Sequence, residues 1–212
     1  IPAYNYEINQ ETKNFGFFAQ SDWEINPQLT FLAGLRADKH NLVDKTILSP
    51  RFFLLYRHQN NTQFRLTWGT GFRAPQSFDT DMHIAFAGGG VSRITLDPDL
   101  KEERSNSISG SVNYDRPSET FILGFTLEGF YKWYDNYPIS IDKGISLANL
   151  GGDFGVLGNE RVSSIGQGKT YGFEFMYQER LSKNFYGILA YTFYYSLFTG
   201  LDKNKFIPST WD

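Results

Sequence analysis

The stretch "QFRLTWGTGFRAP" (63–75) alternates apolar and polar side chains and then breaks at a proline. One side carries three apolar side chains and the other two polar ones: Phe64, Leu66 and Trp68 against Arg65 and Thr67. This period of two is that of a β-strand whose two faces meet different surroundings. Pro75 has no amide hydrogen, so it cannot continue the hydrogen-bond ladder. The stretch therefore predicts a strand that ends where a long loop begins.

The same alternation recurs along the whole chain. It predicts eight strands, at 14–25, 29–39, 50–58, 63–72, 104–114, 120–134, 169–180 and 185–198. No helical period competes over a comparable length. The connections are short around 27, 60, 117 and 183, whereas 40–49, 73–103 and 135–168 are long. Because short and long connections alternate, we expect an antiparallel up-and-down sheet with every short turn at one end.

Composition excludes several functions. The net charge is −3 and no cluster of Lys or Arg stands out, so no nucleic-acid partner is expected. The absence of cysteine excludes disulfides, thiolate zinc sites and thiol catalysis. No combination of nucleophile and base predicts an enzyme. No apolar run reaches the ~18 residues of a membrane-spanning helix, but a spanning β-strand needs only ~9–11 residues, with every second one apolar.

The pattern favours a membrane barrel. Short turns at one end and long loops at the other are typical of outer-membrane barrels, with an apolar band outside and a polar interior. Tyr and Trp prefer the water–lipid boundary, and several lie near strand ends: Trp23, Tyr56, Trp68, Tyr131, Trp133 and Tyr195. We therefore predict an all-β, transmembrane, antiparallel up-and-down β-barrel. Two alternatives stay open, a small eight-stranded outer-membrane barrel with a structural or adhesive role and a soluble carbohydrate-binding β-sandwich.

Five stretches carry a resemblance to a known family. "WGTGFRAP" (68–75) leaving one strand and "LDPDLKEERSNSISGSVNY" (96–114) entering the next resemble the barrel of the TonB-dependent outer-membrane receptors. The second stretch has Asp97 where that family usually has Asn, and Glu102 where Pro is common. Three more stretches agree in order: "LTFLAGLRADKH" (29–40), "SPRFFLLYR" (49–57) and "TYGFEFMYQERLSKNF" (170–185). The resemblance covers essentially the whole chain.

The resemblance implies both an architecture and a function. Family barrels have about 22 strands around an N-terminal plug, so residues 1–212 are expected to form a partial barrel domain, an arc without plug or final strands. Such receptors lie in the outer membrane of Gram-negative bacteria, surrounded by its lipid. They import a scarce nutrient or metal chelate such as haem, a siderophore or a corrinoid. Energy reaches them from the TonB–ExbB–ExbD complex through the plug.

The loop 73–103 holds the candidate ligand-binding residues Asp79, Asp81, His83 and Arg93. Some haem receptors of the family carry a histidine at the corresponding place, and neutral imidazole is a common metal ligand, so His83 is the candidate metal ligand. The alternative is a solvent-exposed loop histidine without a ligand. Ca²⁺ bound by Asp79, Asp81, Asp97 and Asp99 is a second hypothesis, against an acidic solvated rim. No cofactor is required.

Charged residues on the polar side of the strands are expected to face the lumen. They include Arg36, Arg65, Arg73, Glu128, Lys132 and Glu174, with Asp38 and Arg51. At mid-depth on the lipid side a charge costs ~2–4 kcal/mol, which favours the lumen assignment. We expect these residues to pair across strands and with the plug.

Overall fold

The structure, a computed structural model, describes residues 11–58, 61–75, 95–96, 100–117, 122–149, 161–182 and 185–209. Eight long strands cover most of these ranges: β1 Asn14–Asn26, β2 Leu29–His40, β3 Ile47–His58, β4 Thr62–Arg73, β6 Glu103–Pro117, β7 Ile122–Ser140, β9 Arg161–Ser182 and β10 Phe185–Thr199. The short elements are β5 Thr95–Leu96, β8 Ile145–Ser146, β11 Phe206–Pro208 and a 3-10 turn at Leu147–Asn149. All eight predicted strands are confirmed. Within the described ranges, no helix is long and apolar enough to cross a membrane.

The long strands form one sheet in chain order. Its path is β1-β2-β3-β4-β6-β7-β9-β10-β11, and each neighbouring pair is antiparallel. The short strand β8 adds to β7, and β5 adds to β9 in a parallel pair. The up-and-down topology predicted from the sequence is therefore confirmed.

Two predicted connections were too long. β3 begins at Ile47, which shortens the expected connection 40–49, and β7 and β9 extend into the expected connection 135–168, to Ser140 and from Arg161. β7 continues to Ser140 through Pro138, with register shifts between Asp135, Tyr137 and Ile139. A bulge of this kind accommodates a residue without an amide hydrogen, and Asn136 takes a positive φ of 57° that Asn tolerates. The sequence had predicted a long connection from residue 135.

One face of the sheet, here called the apolar face, is continuous across the strands. Direct register partners form a single row on it: Phe52, Trp68, Ile108, Tyr131, Tyr171 and Tyr195. The rings of Phe52 and Trp68 stack with centroids 5.3 Å apart. These side chains are nevertheless solvent-accessible, as are mid-strand residues such as Leu66, 48% exposed. No second layer of described residues covers this face.

The opposite face, here called the polar face, is equally continuous. A row between the aromatic rows reads Arg51, Gly69, Ser107, Lys132, Thr170 and Ser196. Toward the short turns, the next row on this face is mixed and includes Phe53, Thr67, Ser109, Phe130 and Tyr194, and the row after it includes Arg65, Ser111, Glu128, Glu174 and Thr192. The register thus segregates side chains as the alternation predicted, because neighbouring strands keep their side-chain period in phase.

The hairpin tips give the tilt of the strands. The β1–β2 tip at Leu29 lies opposite Tyr56, and β3 runs two residues further, to His58. Thr62 lies opposite Tyr114, and β6 runs three residues further, to Pro117. Ile122 lies opposite Arg180, and β9 runs two residues further, to Ser182. The total is seven residues over six strand spacings. If all the tips lie at the same height, the strands shift by seven residues of ~3.4 Å over six strand spacings of ~4.8 Å, which gives a tilt of about 40°. This tilt is within the ~35–45° range of membrane barrels.

Buried apolar residues are confined to the end of the sheet away from the short turns. One small cluster contains Val43, Ile47 and Ala74, with Phe72 packed against it. Ile139, Val162 and Phe198 are also buried, on the extended parts of β7 to β10. The mid-strand region contains no such core among the described residues. Its apolar side chains are therefore arranged to contact something outside this part of the chain.

Candidate functional site

The polar face is the candidate functional surface, because it gathers the charged residues predicted to line the lumen. Their strand positions follow directly from the register. All six of the predicted lumen residues lie on this face: Arg36, Arg65, Arg73, Glu128, Lys132 and Glu174. The face assignment is therefore consistent throughout, whereas the expected pairing of these charges is met only in part.

Arg36 is held by an aspartate on its own strand. Its Nε and Nη2 atoms donate to the two carboxylate oxygens of Asp38 at 2.6 and 2.7 Å. Asn14 on β1 donates a third hydrogen bond to the same carboxylate, at 3.1 Å. Asp38 is 0% exposed, so its charge depends on these donors. The fork geometry fixes the guanidinium flat against the wall.

Arg51 lies beside this pair and is held differently. Its Nη2 atom donates to the side-chain oxygen of Gln20 on β1. A cavity of about 290 Å³ lies beside these residues, and its lining includes Phe18, Arg36, Ser49 and Arg51 of the polar face together with Ala19, Leu35 and Thr70. Two arginines and one phenylalanine therefore contribute to the same depression of the wall. This arrangement can bind an anion and pack against a flat apolar group.

Four charges on the polar face have no partner among the described residues: Arg65, Glu128, Lys132 and Glu174. Glu128 and Glu174 are direct register partners on β7 and β9. Like charges placed directly opposite each other destabilise a strand pair. The described residues thus show no cross-strand ion pair for these four side chains, and their pairing with a plug stays a prediction.

At the far end of the sheet the predicted lumen residue Arg73 is paired. Its Nε and Nη2 atoms donate to Oε1 of Glu103, at 3.0 and 2.5 Å. The preceding residue, Glu102, is 2% exposed, and its partner Arg104 follows Glu103 on β6 and so lies on the other face. The Oε1 atom of Glu102 accepts from Arg104 Nε at 2.8 Å and lies 3.1 Å from Lys45 Nζ. The end of the connection between β4 and β6 is therefore fastened on both faces.

The pKa of Glu102 follows from its contacts with Arg104 and Lys45. Burial alone would raise its pKa, but the hydrogen bonds from Arg104 and Lys45 together hold the pKa of this carboxyl below its ordinary value. Its backbone carbonyl also accepts from Asn136 Nδ2 at 3.0 Å. Glu102 thus links the β2–β3 connection, β6 and β7.

The candidate ligand-binding residues Asp79, Asp81, His83 and Arg93 lie outside the described residues, as do Asp97 and Asp99. Within the described ranges, no group of three or more His, Cys, Asp or Glu side chains is placed to hold a metal ion. The metal-ligand and calcium hypotheses therefore stay predictions from the sequence.

Sequence reasoning missed three parts of this surface. Phe18 breaks the alternation of β1 and had no face assigned to it, although an aromatic residue out of phase is itself a signal. Ser49 was placed in a connection. Glu102 had been noted only as a departure from the family pattern, because a glutamate next to a strand end is ordinarily solvated.

The comparison with protein families decides the identity of the fold. The family model described as "TonB dependent receptor-like, beta-barrel" matches residues 2–210. The chain belongs to this family. The single-layer sheet, its tilt and its two faces are those of a receptor barrel wall.

Solved structures agree with this family. The chain superimposes on the FrpB iron transporter from Neisseria meningitidis (TM-score 0.64, 16% identity), the siderophore receptor PirA from Pseudomonas aeruginosa (0.61, 13%) and the ferric enterobactin receptor PfeA from Pseudomonas aeruginosa (0.60, 18%). These matches cover 92%, 88% and 91% of this chain but only 27%, 33% and 31% of those chains. This barrel segment therefore spans about a third or less of their length, and at such identities the likeness concerns the fold. No curated protein matches the sequence.

Proposed function

We propose that this chain is part of an outer-membrane active-transport receptor of a Gram-negative bacterium. The receptor takes up a scarce nutrient or metal chelate, such as haem, a siderophore or a corrinoid. Family membership supports this proposal, together with one observation: a single tilted sheet presents an uncovered apolar face and a charged polar face. The proposal involves no catalytic step and no nucleic acid.

The apolar face has the dimensions that contact with outer-membrane lipid requires. On β7 its outward residues run from Leu123 through Tyr131 to Trp133. Ten residue steps at ~3.3 Å, inclined at about 40°, give a height of about 25 Å. This equals the ~25 Å apolar band of outer-membrane barrels. Aromatic residues at its upper edge fit the membrane interface.

The polar face supports a partner inside the barrel. The four unpaired charges, Arg65, Glu128, Lys132 and Glu174, are spread over β4, β7 and β9. They would be complemented by a plug, through which the TonB–ExbB–ExbD complex would deliver energy. Asp79, Asp81, His83 and Arg93 belong to this proposal as ligand contacts near the opening, with His83 as the metal ligand and Ca²⁺ as a stabiliser of the loop.

The alternatives of a different class are less well supported. A carbohydrate-binding sandwich needs a second sheet over its aromatic face, whereas the described strands all belong to one sheet. A closed eight-stranded barrel needs β1 to pair with β10, but the described strands contain no such pair, and the end of β10 pairs with β11. Neither architecture agrees with the register.

Uptake measurements test the transport proposal. A strain lacking the full-length gene should grow poorly when its sole iron or corrinoid source is a chelate that the receptor imports. The wild-type gene should restore growth only in cells with intact TonB. Equal growth of the deletion and complemented strains on haem, siderophores and corrinoids would contradict the proposal.

Cysteine labelling tests the orientation of the barrel. Lys203, exposed beyond β10, should react with a membrane-impermeant maleimide on intact cells after Lys203→Cys substitution. Gln28, in the β1–β2 turn, should react after Gln28→Cys only when the outer membrane is permeabilised. The chain has no native cysteine, so the labelling background from this segment is zero. The reverse pattern would refute this orientation.

A further inference from the structure

Phe18 is an aromatic residue of the polar face at the β1 end of the sheet. It is 65% exposed, and its neighbours on that face, Gly16, Gln20, Gly34, Arg36 and Asp38, are polar or glycine. Its direct register partner on β2 is Arg36, and Arg36 in turn lies opposite Ser49 on β3. An exposed benzene ring beside a guanidinium offers two different kinds of contact at one place.

The position of the Arg51 side chain depends on Gly34 of β2. A Cβ atom on Gly34, its direct register partner, would lie 2.9 Å from Arg51 Nε and 3.1 Å from Cγ. Only a residue without a side chain lets the arginine lie flat across β2. Because Nη2 is bound to Gln20, the guanidinium is held in place while its Nε and Nη1 donors have no acceptor among the described residues.

The net charge of the depression is positive. Arg36 and Asp38 neutralise each other through two hydrogen bonds. Arg51 has only the neutral amide of Gln20 as a partner, so its charge is uncompensated. The Ser49 hydroxyl adds a further donor at the edge of the cavity. The polar groups therefore favour a planar anion.

The size of the depression limits what it can hold. About 290 Å³ is at the lower end of the ~300–1,000 Å³ range of ligand pockets. A molecule with one ring, or one arm of a larger molecule, fits such a volume. The ring of Phe18 and the guanidinium of Arg51 would contact its flat and its charged parts.

We propose that Phe18, Ser49 and Arg51, with Arg36, form a binding site for aromatic carboxylates on the barrel wall. The carboxylate accepts from Arg51 and Ser49, and the aromatic ring packs on Phe18. As a step in ligand passage, this site rests on the proposed transport function. As a binding site, it is testable without transport.

The test uses the full-length protein purified in detergent, with benzoate as the probe and titration calorimetry as the measurement. Wild type should bind benzoate, and both acetate and benzamide should bind at least tenfold more weakly, because each lacks one of the two recognised groups. Arg51→Gln should lower the affinity for benzoate at least tenfold. Phe18→Ala should also lower it, while leaving the weak binding of acetate unchanged.

Arg57→Gln is the matched control. Arg57 lies on the same strand and the same face, six residues from Arg51 and outside the cavity, where it donates to Thr30 at 3.1 Å. This variant should bind benzoate like wild type. Arg51 is preferred to Arg36 as the test position because loss of Arg36 would leave the buried Asp38 carboxylate without its main partner.

Two results would overturn the inference: absence of benzoate binding by folded wild type, or an equal loss in Arg51→Gln and Arg57→Gln. Failure of the transport proposal looks different. Benzoate binding that depends on Arg51 in a protein without TonB-dependent uptake would refute transport and leave the site standing. Uptake by a protein whose benzoate binding is unchanged in Arg51→Gln would refute the site and leave the transport proposal standing.

Discussion

Arg73 and Glu103 are direct register partners on β4 and β6, and both Nε and Nη2 of Arg73 donate to Oε1 of Glu103. Each residue belongs to one of the two sequence stretches that first indicated the receptor family. The pair joins the end of β4 to the start of β6 on the polar face. The neighbouring Glu102 forms ion pairs with Lys45 and Arg104, which fix the same connection from the other face. The two stretches thus share one physical role, which is to fix both ends of a long connection.

The Arg73–Glu103 pair should contribute modestly and specifically to stability. Arg73→Gln or Glu103→Gln should each lower the stability of the full-length protein in detergent by about 0.5–1 kcal/mol, because the pair is only partly shielded from solvent. The exchanged variant Arg73→Glu/Glu103→Arg should recover part of the loss. Thermal unfolding of wild type, Arg73→Glu, Glu103→Arg and the exchanged variant gives the coupling energy. An exchanged variant as unstable as the sum of two charge reversals would show that the pairing itself contributes nothing.

The two faces should respond oppositely to a new charge. Leu66→Arg places a cation at mid-depth on the apolar face and should cost ~2–4 kcal/mol, with loss of folded barrel from the outer membrane. Thr67→Arg, at the adjacent position of β4, points to the polar face and should be tolerated. Heat-modifiable migration on gels and surface labelling measure assembly in both cases. Equal assembly of the two variants would refute the face assignment.

The sequence predicted the long strands and their faces because both depend on a period of two sustained over at least nine residues. Short elements have no such signal. β5 and β8 contain two residues each, and they form because neighbouring strands offer unpaired backbone groups. The extension of β7 through Pro138 was missed for a related reason, since a bulge shifts the register and hides the alternation.

The candidate site was predictable only in part. Charged residues such as Arg65 and Glu174 lie on the strand face that the alternation assigned to them. Their partners were not predictable, because a pairing depends on three-dimensional neighbours rather than on period. The cavity beside Arg51 depends on Gly34 and Gln20, which come from two other strands. No local pattern in one strand contains that information.

Gly172 should be intolerant of substitution because two strands approach closely there. A Cβ atom at this position would lie 2.1 Å from the Phe193 carbonyl oxygen and 2.6 Å from Tyr194 Cβ. Gly172→Ala should therefore destabilise the β9–β10 pair by about 1–3 kcal/mol through overpacking. Gly129→Ala is the control, since its added methyl would meet nothing within 4 Å. Thermal unfolding of the two variants in detergent should separate them, and equal midpoints would contradict the close approach.

Glu102 should make stability depend on pH in a defined direction. Its pKa is lowered in the folded chain because the donors Arg104 and Lys45 outweigh the effect of burial. A carboxyl with a lowered pKa stabilises the fold at pH values above its ordinary pKa of ~4.3. That stabilisation is lost as the pH falls through the folded value. Glu102→Gln removes the charge and should lower stability by about 1–2 kcal/mol near pH 7.

The measurement is the difference in thermal midpoint between wild type and Glu102→Gln, taken from pH 7 down to the acid limit of the detergent. The difference should be largest near neutrality and should close below the ordinary carboxyl range, because both side chains are then uncharged. Glu11→Gln, at an exposed position paired only with exposed Lys13, should give little difference at any pH. A gap for Glu102→Gln that stays constant with pH would show that the variant acts through packing. The charge of Glu102 would then not contribute to fixing the β4–β6 connection.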